Sequence, residues 1–157
     1  MEEHDIIVVG EHVGSLRSEV YMAGEHRVII AGSREMADYE AARKAISEAF
    51  SEIGGGAPVR IVSGHCRGAD LLGERYARER GLELAVFPAE WNRYGRRAGF
   101  IRNTQMAEFA SEQGSEGTLI AFWDGESRGT KMMIGIAEKK GIDTYVFDLT
   151  GRKRSEK

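Results

Sequence analysis

Short apolar runs alternate along this chain with stretches whose apolar residues follow helical spacing, and this alternation constrains the fold more than any other feature. The segments predicted as strands are 27–31, 59–62, 84–87, 118–123 and 144–149. The segments predicted as helices are 39–53, 69–80, 101–113 and 130–140. Strands that alternate with helices are typical of βαβ units, in which consecutive strands are parallel. We therefore predict an α/β domain.

The handedness of the crossovers narrows the architecture further. Because β-α-β connections are almost always right-handed, we predict a Rossmann-like, doubly wound, mostly parallel sheet of five strands in the order 3-2-1-4-5. Helices cover both faces of this sheet. Asp38 is the predicted N-cap of the first helix, and a glycine follows each of the four helices as its stop.

The 157 residues suffice for one domain, which we place at 27–150. Residues 151–157 form a charged tail that we expect to fray. Residues 1–26 are interpreted as an N-terminal edge strand or as an arm that packs on a neighbouring subunit. Within them, 5–14 looks like a strand entering a glycine turn, but the spacing is not G-x-G-x-x-G and no helical pattern follows.

Composition excludes several classes of protein. The net charge of −3 opposes broad binding to nucleic acid, which depends on a positive surface. The single cysteine, Cys66, excludes an internal disulfide and a cysteine-based zinc cluster, and no metal is expected. The apolar runs are shorter than the roughly 20 residues of a membrane helix, and the acidic N-terminus is unlike a secretory signal. We expect a cytoplasmic protein without a membrane partner.

Glycine and arginine occur together in each of the loops that follow the first four predicted strands. These loops are 32–34, 63–70, 91–103 and 124–130. The carboxyl ends of parallel strands meet at one edge of the sheet, where ligands bind. Glycine lets the backbone approach an anion, the unpaired N–H groups of the following helix point at it, and arginine bonds phosphate oxygens in pairs. The loops therefore predict a site for a phosphate-bearing ligand.

The predicted ligand-binding residues come from all four loops. They are Gly32, Ser33, Arg34, Ser63, Gly64, His65, Arg67, Gly68, Asp70, Trp91, Arg102, Asn103, Asp124, Gly125, Ser127, Arg128, Gly129 and Thr130. Each type of residue also has a structural alternative. A glycine can serve only a turn, a loop arginine can be solvated, Trp91 can plug the core instead of stacking on a base, and Asp70 can stabilise the first turn of its helix. Because glycine and arginine recur together in four loops at one edge of the sheet, we favour a ligand site over these structural alternatives.

Taken together, these motifs resemble the YspA-related family of the SLOG superfamily, which also contains the DNA-processing protein DprA and the Lonely-Guy phosphoribohydrolases. The matching segments are Arg27-Val-Ile-Ile-Ala-Gly-Ser-Arg34, Ser63-Gly-x-x-Arg-Gly-Ala-Asp70, Trp91 with Gly95, Ala98-Gly-x-x-Arg-Asn103 with Met106, and Phe122-Trp-Asp-Gly-x-Ser-x-Gly-Thr130. The resemblance covers about 27–148. It implies a Rossmann-like fold and a small-molecule partner that is a nucleotide or nucleotide-derived ligand. It implies no required cofactor.

The enzymes to which this family is related place a glutamate on the helix that follows a Pro-Gly-Gly-x-Gly-Thr loop. With an arginine, that glutamate cleaves the N-glycosidic bond of a nucleoside monophosphate. This chain keeps Gly129-Thr130 but continues Lys131-Met-Met-Ile-Gly135, without an acid in the first turn. If a reaction is retained, Asp124, Glu90 or Asp70 would have to assist departure of the base. Whether the chain is an enzyme is therefore open at this point.

Three functions follow as hypotheses. The first is a binding module or sensor for a phosphate-bearing ligand that is ADP-ribose-like or a nucleoside monophosphate. The second is a phosphoribohydrolase that acts on nucleoside 5′-monophosphates. The third is a DNA-associated role of the DprA kind, which the arginines favour and the acidic balance opposes. The superfamily and the unassigned N-terminal arm also lead us to expect a homodimer.

Overall fold

Strands and helices alternate along residues 6–8 and 24–154, which are the residues that the computed structural model describes. The strands are β1 (Ile6–Val8), β2 (His26–Gly32), β3 (Val59–Ser63), β4 (Glu83–Val86), β5 (Glu116–Phe122) and β6 (Asp143–Phe147). The helices are α1 (Tyr39–Ile53), α2 (Ala69–Arg80), α3 (Trp91–Tyr94), α4 (Ala98–Ala110) and α5 (Arg128–Lys139). A 3₁₀ turn, Gly95–Arg97, joins α3 to α4. The 5–14 glycine-turn motif lies largely outside the described residues.

All six described strands form one sheet in the order β1-β4-β3-β2-β5-β6. Every neighbouring pair of strands is parallel. The sheet has six described strands and not the predicted five, so the order of the whole sheet differs from the predicted one, although the five predicted strands keep their predicted relative order. The additional strand is β1, which pairs with β4 at the edge and places Ile7 opposite Ala85. It lies within 1–26, which we interpreted as an edge strand or an arm, and its three residues carry too little pattern to predict its partner in the sheet.

Each strand in the middle of the sheet sends alternate side chains to opposite faces. In β2, Val28 and Ile30 pack with the buried residues of α1 and α2. Ile29 and Ala31 pack on the other face, with the buried residues of α4 and α5. Both faces are therefore apolar, which explains why the strands appear in the sequence as continuous apolar runs.

The bounds of α1 and α2 agree with the predicted ones. Asp38 caps α1 as predicted, since its carboxylate accepts a hydrogen bond from the backbone N–H of Ala41 at 3.1 Å. The third predicted helix differs, because α4 begins at Ala98 and ends before Ser111 rather than at Gly114. The segment 91–103, predicted as a loop, instead contains α3, the 3₁₀ turn and the start of α4. Among the described residues, no helix has the length and apolar character needed to cross a membrane.

Candidate functional site

A cavity of about 660 Å³ opens at the carboxyl edge of the sheet, where β2 and β5 end. After β2 the chain continues to β3 on one side, whereas β5 lies on the other side of β2. This is the topological switch point, the place where open α/β sheets bind their ligands. The fold thus brings the loops after β2, β3 and β5 together with the first half of α4 around one space.

The structure divides the predicted ligand-binding residues into two groups. Those that line the cavity are Gly32, Ser33, Arg34, Asp70, Trp91, Arg102, Asn103, Asp124, Ser127, Gly129 and Thr130. Those outside the lining are Ser63, Gly64, His65, Arg67, Gly68, Gly125 and Arg128. All four loops contribute to the lining, but the arginines do not all converge: Arg34 and Arg102 face the cavity, and Arg67 and Arg128 do not.

Several lining residues were not predicted, among them Arg96, Gly99, Phe100 and Met106. Gly99, Phe100 and Met106 each lie three or four positions from Arg102 or Asn103, on the same face of one helix, and Arg96 lies in the 3₁₀ turn before it. The signal was therefore present in the sequence, but the prediction of a loop at 91–103 concealed it. Cys66, which the sequence offered only as an isolated thiol, also lines the cavity and is half-buried.

Two of the glycines are required by the contact between loops. A β-carbon built on Gly68, whose φ is +92°, would lie 2.6 Å from Cα of Arg34. One built on Gly32 would lie 2.8 Å from the backbone nitrogen of Phe122. The loop after β2 is thus pressed against both the start of α2 and the end of β5, and the backbone N–H of Ala69 donates to the carbonyl of Ser33 at 3.2 Å. Both glycines are needed for this close packing, and Gly32 also lines the cavity.

Arg102 and Asp70 are buried residues at the wall of the cavity, with exposed fractions of 8% and 5%. Arg102 donates through Nε to Oδ1 of Asn103 at 2.9 Å and through Nη1 to the carbonyl of Gly64 at 2.6 Å. The carboxylate of Asp70 accepts the backbone N–H of Cys66 at 3.2 Å. Arg102 therefore fixes the loop after β3, in addition to facing the cavity.

Burial raises the pKa of Asp70 to about 6. The Arg102 guanidinium and the backbone N–H groups of Cys66 and Gly32 act in the opposite direction, and the nearby Glu74 carboxylate raises this pKa further. Asp70 is thus a carboxyl group that exchanges its proton close to neutral pH, next to a cation and at the wall of a cavity. Groups of this kind are concentrated at functional sites.

The loop after β5 is organised by Asp124. Its Oδ1 accepts the backbone N–H groups of Glu126 and Ser127, both at 2.8 Å, and these bonds lower the pKa of Asp124. The next residues begin α5, where Ser127 is the N-cap and Oγ of Ser127 lies 3.1 Å from Oγ1 of Thr130. A β-carbon on Gly129 would meet no atom within 4 Å. The first turn of α5 therefore presents open backbone to the cavity.

Ser63 and His65 are directed elsewhere. Oγ of Ser63 donates to Oε2 of the buried Glu74 at 2.7 Å, and Nδ1 of His65 lies 2.8 Å from the same oxygen. His65 has a φ of +63°, the only positive value among the non-glycine residues described. These contacts hold the loop after β3 against α2.

Arg67 is 71% exposed and reaches the carbonyl of Arg34 and the carboxylate of Glu35, each at 3.4 Å.

The third acid proposed for catalysis, Glu90, lies outside the cavity lining. Its carboxylate is 3.9 Å from Nη1 of Arg93, and its carbonyl accepts the N–H of Arg93 and of Tyr94 at 3.0 Å. Glu90 therefore stabilises the start of α3. In the described part of the chain, no group of three or more His, Cys, Asp or Glu side chains is placed to hold a metal ion.

Two aromatic side chains flank the cavity on the side of α3 and α4. Trp91 is 51% exposed and Phe100 is 46% exposed, although both are large and apolar. Gly99 lies between them in the lining, and a β-carbon there would be 3.7 Å from Cη2 of Trp91. The lining thus includes two exposed aromatic rings as well as loops that carry backbone N–H groups, hydroxyls and Arg34.

Comparison with known proteins agrees with the motifs in these loops. Residues 26–94 match the profile of the YspA, cpYpsA-related SLOG family. The gene 61 protein of Mycobacterium phage D29 is 31% identical to this chain over 126 residues, which is 77% of this chain and 95% of the phage protein. No solved structure gave a significant match. The chain therefore belongs to the YspA, cpYpsA-related SLOG family, as its loop motifs predicted.

Proposed function

We propose that the cavity binds a phosphate-bearing nucleotide or nucleotide-derived ligand and that the protein acts as a sensor or binding module. Membership of the SLOG family suggests nucleotide-related binding or processing. The cavity volume of about 660 Å³ is within the range of small-molecule sites. The ligand classes that fit are nucleoside monophosphates and ADP-ribose-like molecules.

The observation that carries the proposal is that the cavity lining combines groups suited to an anion with exposed aromatic rings. Ser33, Arg34 and the first turn of α5 face the same space. Helix N-termini attract anions through unpaired N–H groups and the helix dipole, and the open position at Gly129 lets a phosphate approach closely. A nucleotide needs this combination of an anion site and a surface for its base.

The base is placed against Trp91 and Phe100 in this proposal. Both rings are about half exposed, so stacking of a base on them would remove apolar surface from water. Stacking on aromatic side chains tolerates different bases, since every base has a π-face. The identity of the base would then depend on the polar groups near its edge rather than on the rings.

Calorimetric titration with AMP, ADP, ADP-ribose and inorganic pyrophosphate tests this function. We expect the nucleotides to bind and to raise the melting temperature, because a ligand that binds only the folded state stabilises it. Arg34→Gln should weaken binding about ten-fold, consistent with loss of a charge-assisted hydrogen bond. Arg75→Gln is the matched control, since Arg75 lies on α2 and pairs with Glu79 at 3.0 Å. Absence of binding at millimolar ligand would contradict the proposal.

Hydrolysis of an N-glycosidic bond is the second candidate, and Asp70 is the observation that favours it. Asp70 lines the cavity and its pKa is raised to about 6, whereas the pKa of Asp124 is lowered. A carboxyl group that is partly protonated at neutral pH can donate a proton to the departing base as water adds to C1′ of the ribose. Chromatography of nucleoside monophosphates incubated with the protein should show free base. No release by the wild-type protein would exclude this candidate and leave the binding function intact.

A further inference from the structure

Asn103, on α4, lines the cavity although only 6% of its surface is exposed. Its Oδ1 accepts a hydrogen bond from Nε of Arg102 at 2.9 Å. Because Nε of an arginine can only donate, this bond requires the oxygen of the carboxamide to point toward Arg102 and its nitrogen to point away. The orientation of the Asn103 amide is therefore set by its neighbour on the same helix.

The nitrogen of this amide, Nδ2, has no acceptor within the described part of the chain. None of the described residues accepts a hydrogen bond from Nδ2, and they do not enclose this atom. Nδ2 therefore faces the cavity with two hydrogens to donate. Buried polar groups in folded proteins are nearly always hydrogen-bonded. An unused donor on a side chain as buried as Asn103 indicates that the acceptor belongs to the molecule that the cavity binds.

The neighbours of Asn103 on α4 place this donor near the two exposed rings of the lining. Phe100 precedes Asn103 by three positions and Gly99 precedes it by four, so the three residues share one face of the helix. A β-carbon on Gly99 would lie 3.7 Å from Cη2 of Trp91, so the second ring lies beside the same face. Met106 continues this face with a buried, apolar side chain. Asn103 thus provides a polar group next to the rings against which the base is placed.

A group that offers only a donor distinguishes between the edges of the purine bases. A 6-oxopurine, which is the base of guanine and hypoxanthine nucleotides, presents two neighbouring acceptors, N7 and O6. Adenine presents the acceptor N7 beside the donor N6–H₂, and an asparagine recognises that edge by donating and accepting at once. Here Oδ1 of Asn103 is already engaged by Arg102, and the donor faces the cavity. The edge of a 6-oxopurine therefore suits Asn103 better than the edge of adenine.

We infer that Asn103 is a specificity-determining residue that donates to the N7 and O6 edge of a 6-oxopurine, so that the ligand class is a guanine or hypoxanthine nucleotide rather than an adenine nucleotide. The inference rests on the proposed nucleotide-binding function, with the base against Trp91 and Phe100. Arg102 is a positioning residue in this arrangement, since its hydrogen bond to Oδ1 keeps the donor of Asn103 directed into the cavity. A purine also covers more of the two rings than a pyrimidine does.

Calorimetric titration of GMP, IMP and AMP into the wild-type protein and into Asn103→Asp tests the inference. The three nucleotides carry the same ribose and phosphate, so the ratios of their affinities report on the base alone. We expect GMP and IMP to bind the wild-type protein about ten-fold more tightly than AMP, which corresponds to one additional hydrogen bond. Asn103→Asp keeps an oxygen for Nε of Arg102 but replaces the donor with an acceptor, so the preference for GMP over AMP should be lost.

Asn92→Asp is the matched control. Asn92 is exposed, follows Trp91 on α3 and lies outside the cavity lining. The same chemical change at this position should leave the ratio of GMP to AMP affinity as it is in the wild-type protein. A loss of the ratio in Asn92→Asp as well would show that added negative charge, and not the donor of Asn103, controls the preference, and would overturn the inference.

Asn103→Ala removes the donor without adding a charge, and it supplies the same measurement if Asn103→Asp does not fold. In this variant GMP and AMP should bind within about two-fold of each other. Equal weakening of all three nucleotides by either Asn103 variant would place the amide on the ribose or the phosphate and overturn the inference. Equal binding of GMP and AMP by the wild-type protein, or IMP that binds as weakly as AMP, refutes the inference alone. If the wild-type protein binds none of the nucleotides, the proposed function itself fails and this inference with it.

Discussion

Nη1 of Arg102, on α4, donates to the backbone carbonyl of Gly64, on the loop after β3, over 2.6 Å. Because Gly64 has no side chain, the guanidinium fits where a β-carbon would lie 2.6 Å from Nη1. This contact joins the two chain segments that form one wall of the cavity. An arginine that faces the site is therefore also part of the structure that keeps the site open.

Arg102→Ala should lower the free energy of unfolding by about 3 kcal/mol. The substitution leaves the buried carbonyl of Gly64 without its donor and removes the cation beside the buried Asp70. Urea denaturation measures the change. Arg96→Ala is the control, because Arg96 lines the same cavity but is exposed, and its loss should cost less than about 0.5 kcal/mol. Equal effects of the two substitutions would show that Arg102 is not structural.

Gly129→Ala should weaken phosphate-bearing ligands by at least about ten-fold without destabilising the fold. A β-carbon at this position meets no atom of the protein within 4 Å, so the methyl group would project into the cavity where the phosphate is expected. Gly135→Ala provides the matched control. It lies within α5 with the same open surroundings and should raise stability by about 1 kcal/mol through helix propensity while binding stays unchanged.

Calorimetry and urea denaturation of the two variants give the comparison. Unchanged ligand affinity in Gly129→Ala would show that no ligand approaches the first turn of α5. A large loss of stability in the same variant would show that the turn is more tightly packed than the contacts indicate.

The alternation of strands and helices was predictable because the middle strands are covered on both faces. Val28 to Ala31 is apolar throughout, and α1 and α2 have a cap or a glycine stop that belongs to the local sequence. β1 was not predictable as a strand with known partners, because its position depends on pairing with β4, far along the chain. The local sequence pattern predicts the individual helices and strands well. It carries no information about which strands, far apart in the chain, pair with each other.

The loops of the site were predictable as loops, but the direction of their side chains was not. Ser63 and Asp70 are both in the same motif. Ser63 donates to the buried Glu74 on α2 and lies outside the cavity lining, whereas Asp70 lines the cavity.

Trp91→Ala should weaken nucleotides about ten-fold or more and leave inorganic pyrophosphate unaffected. Truncating an aromatic side chain that stacks on a base costs about 1–3 kcal/mol, and pyrophosphate has no base to lose. Trp91 is 51% exposed, so the melting temperature should change little. Parallel titrations of ADP and pyrophosphate supply the measurement. If both ligands weaken together, Trp91 supports the shape of the anion site and does not contact the base.

Asp70→Asn should remove a pH dependence of stability that the wild-type protein shows between about pH 4 and pH 6. Burial raises the pKa of Asp70 from 3.8 to about 6, so the folded state binds this proton more tightly than the unfolded chain does. The contribution of Asp70 to stability is therefore fully present below the unfolded pKa and is lost as the pH rises through the folded pKa. Relative to wild type, Asp70→Asn should become more stable as the pH increases through about 6.

Asp148→Asn should show the opposite sign in the same protein. The hydroxyl of Thr150 donates to the carboxylate of Asp148 and lowers its pKa, so this group stabilises the fold above its unfolded pKa and loses that effect as the pH falls. Urea denaturation of both variants and the wild type at about pH 2.5, 3.5, 5, 6 and 7.5 gives the two slopes, that of Asp148 below about pH 4 and that of Asp70 between about pH 4 and 6. Parallel curves for wild type and Asp70→Asn would mean that Asp70 keeps an ordinary pKa. The carboxyl group would then be ionised throughout this range, and the proton that the hydrolytic mechanism requires would have to come from another residue.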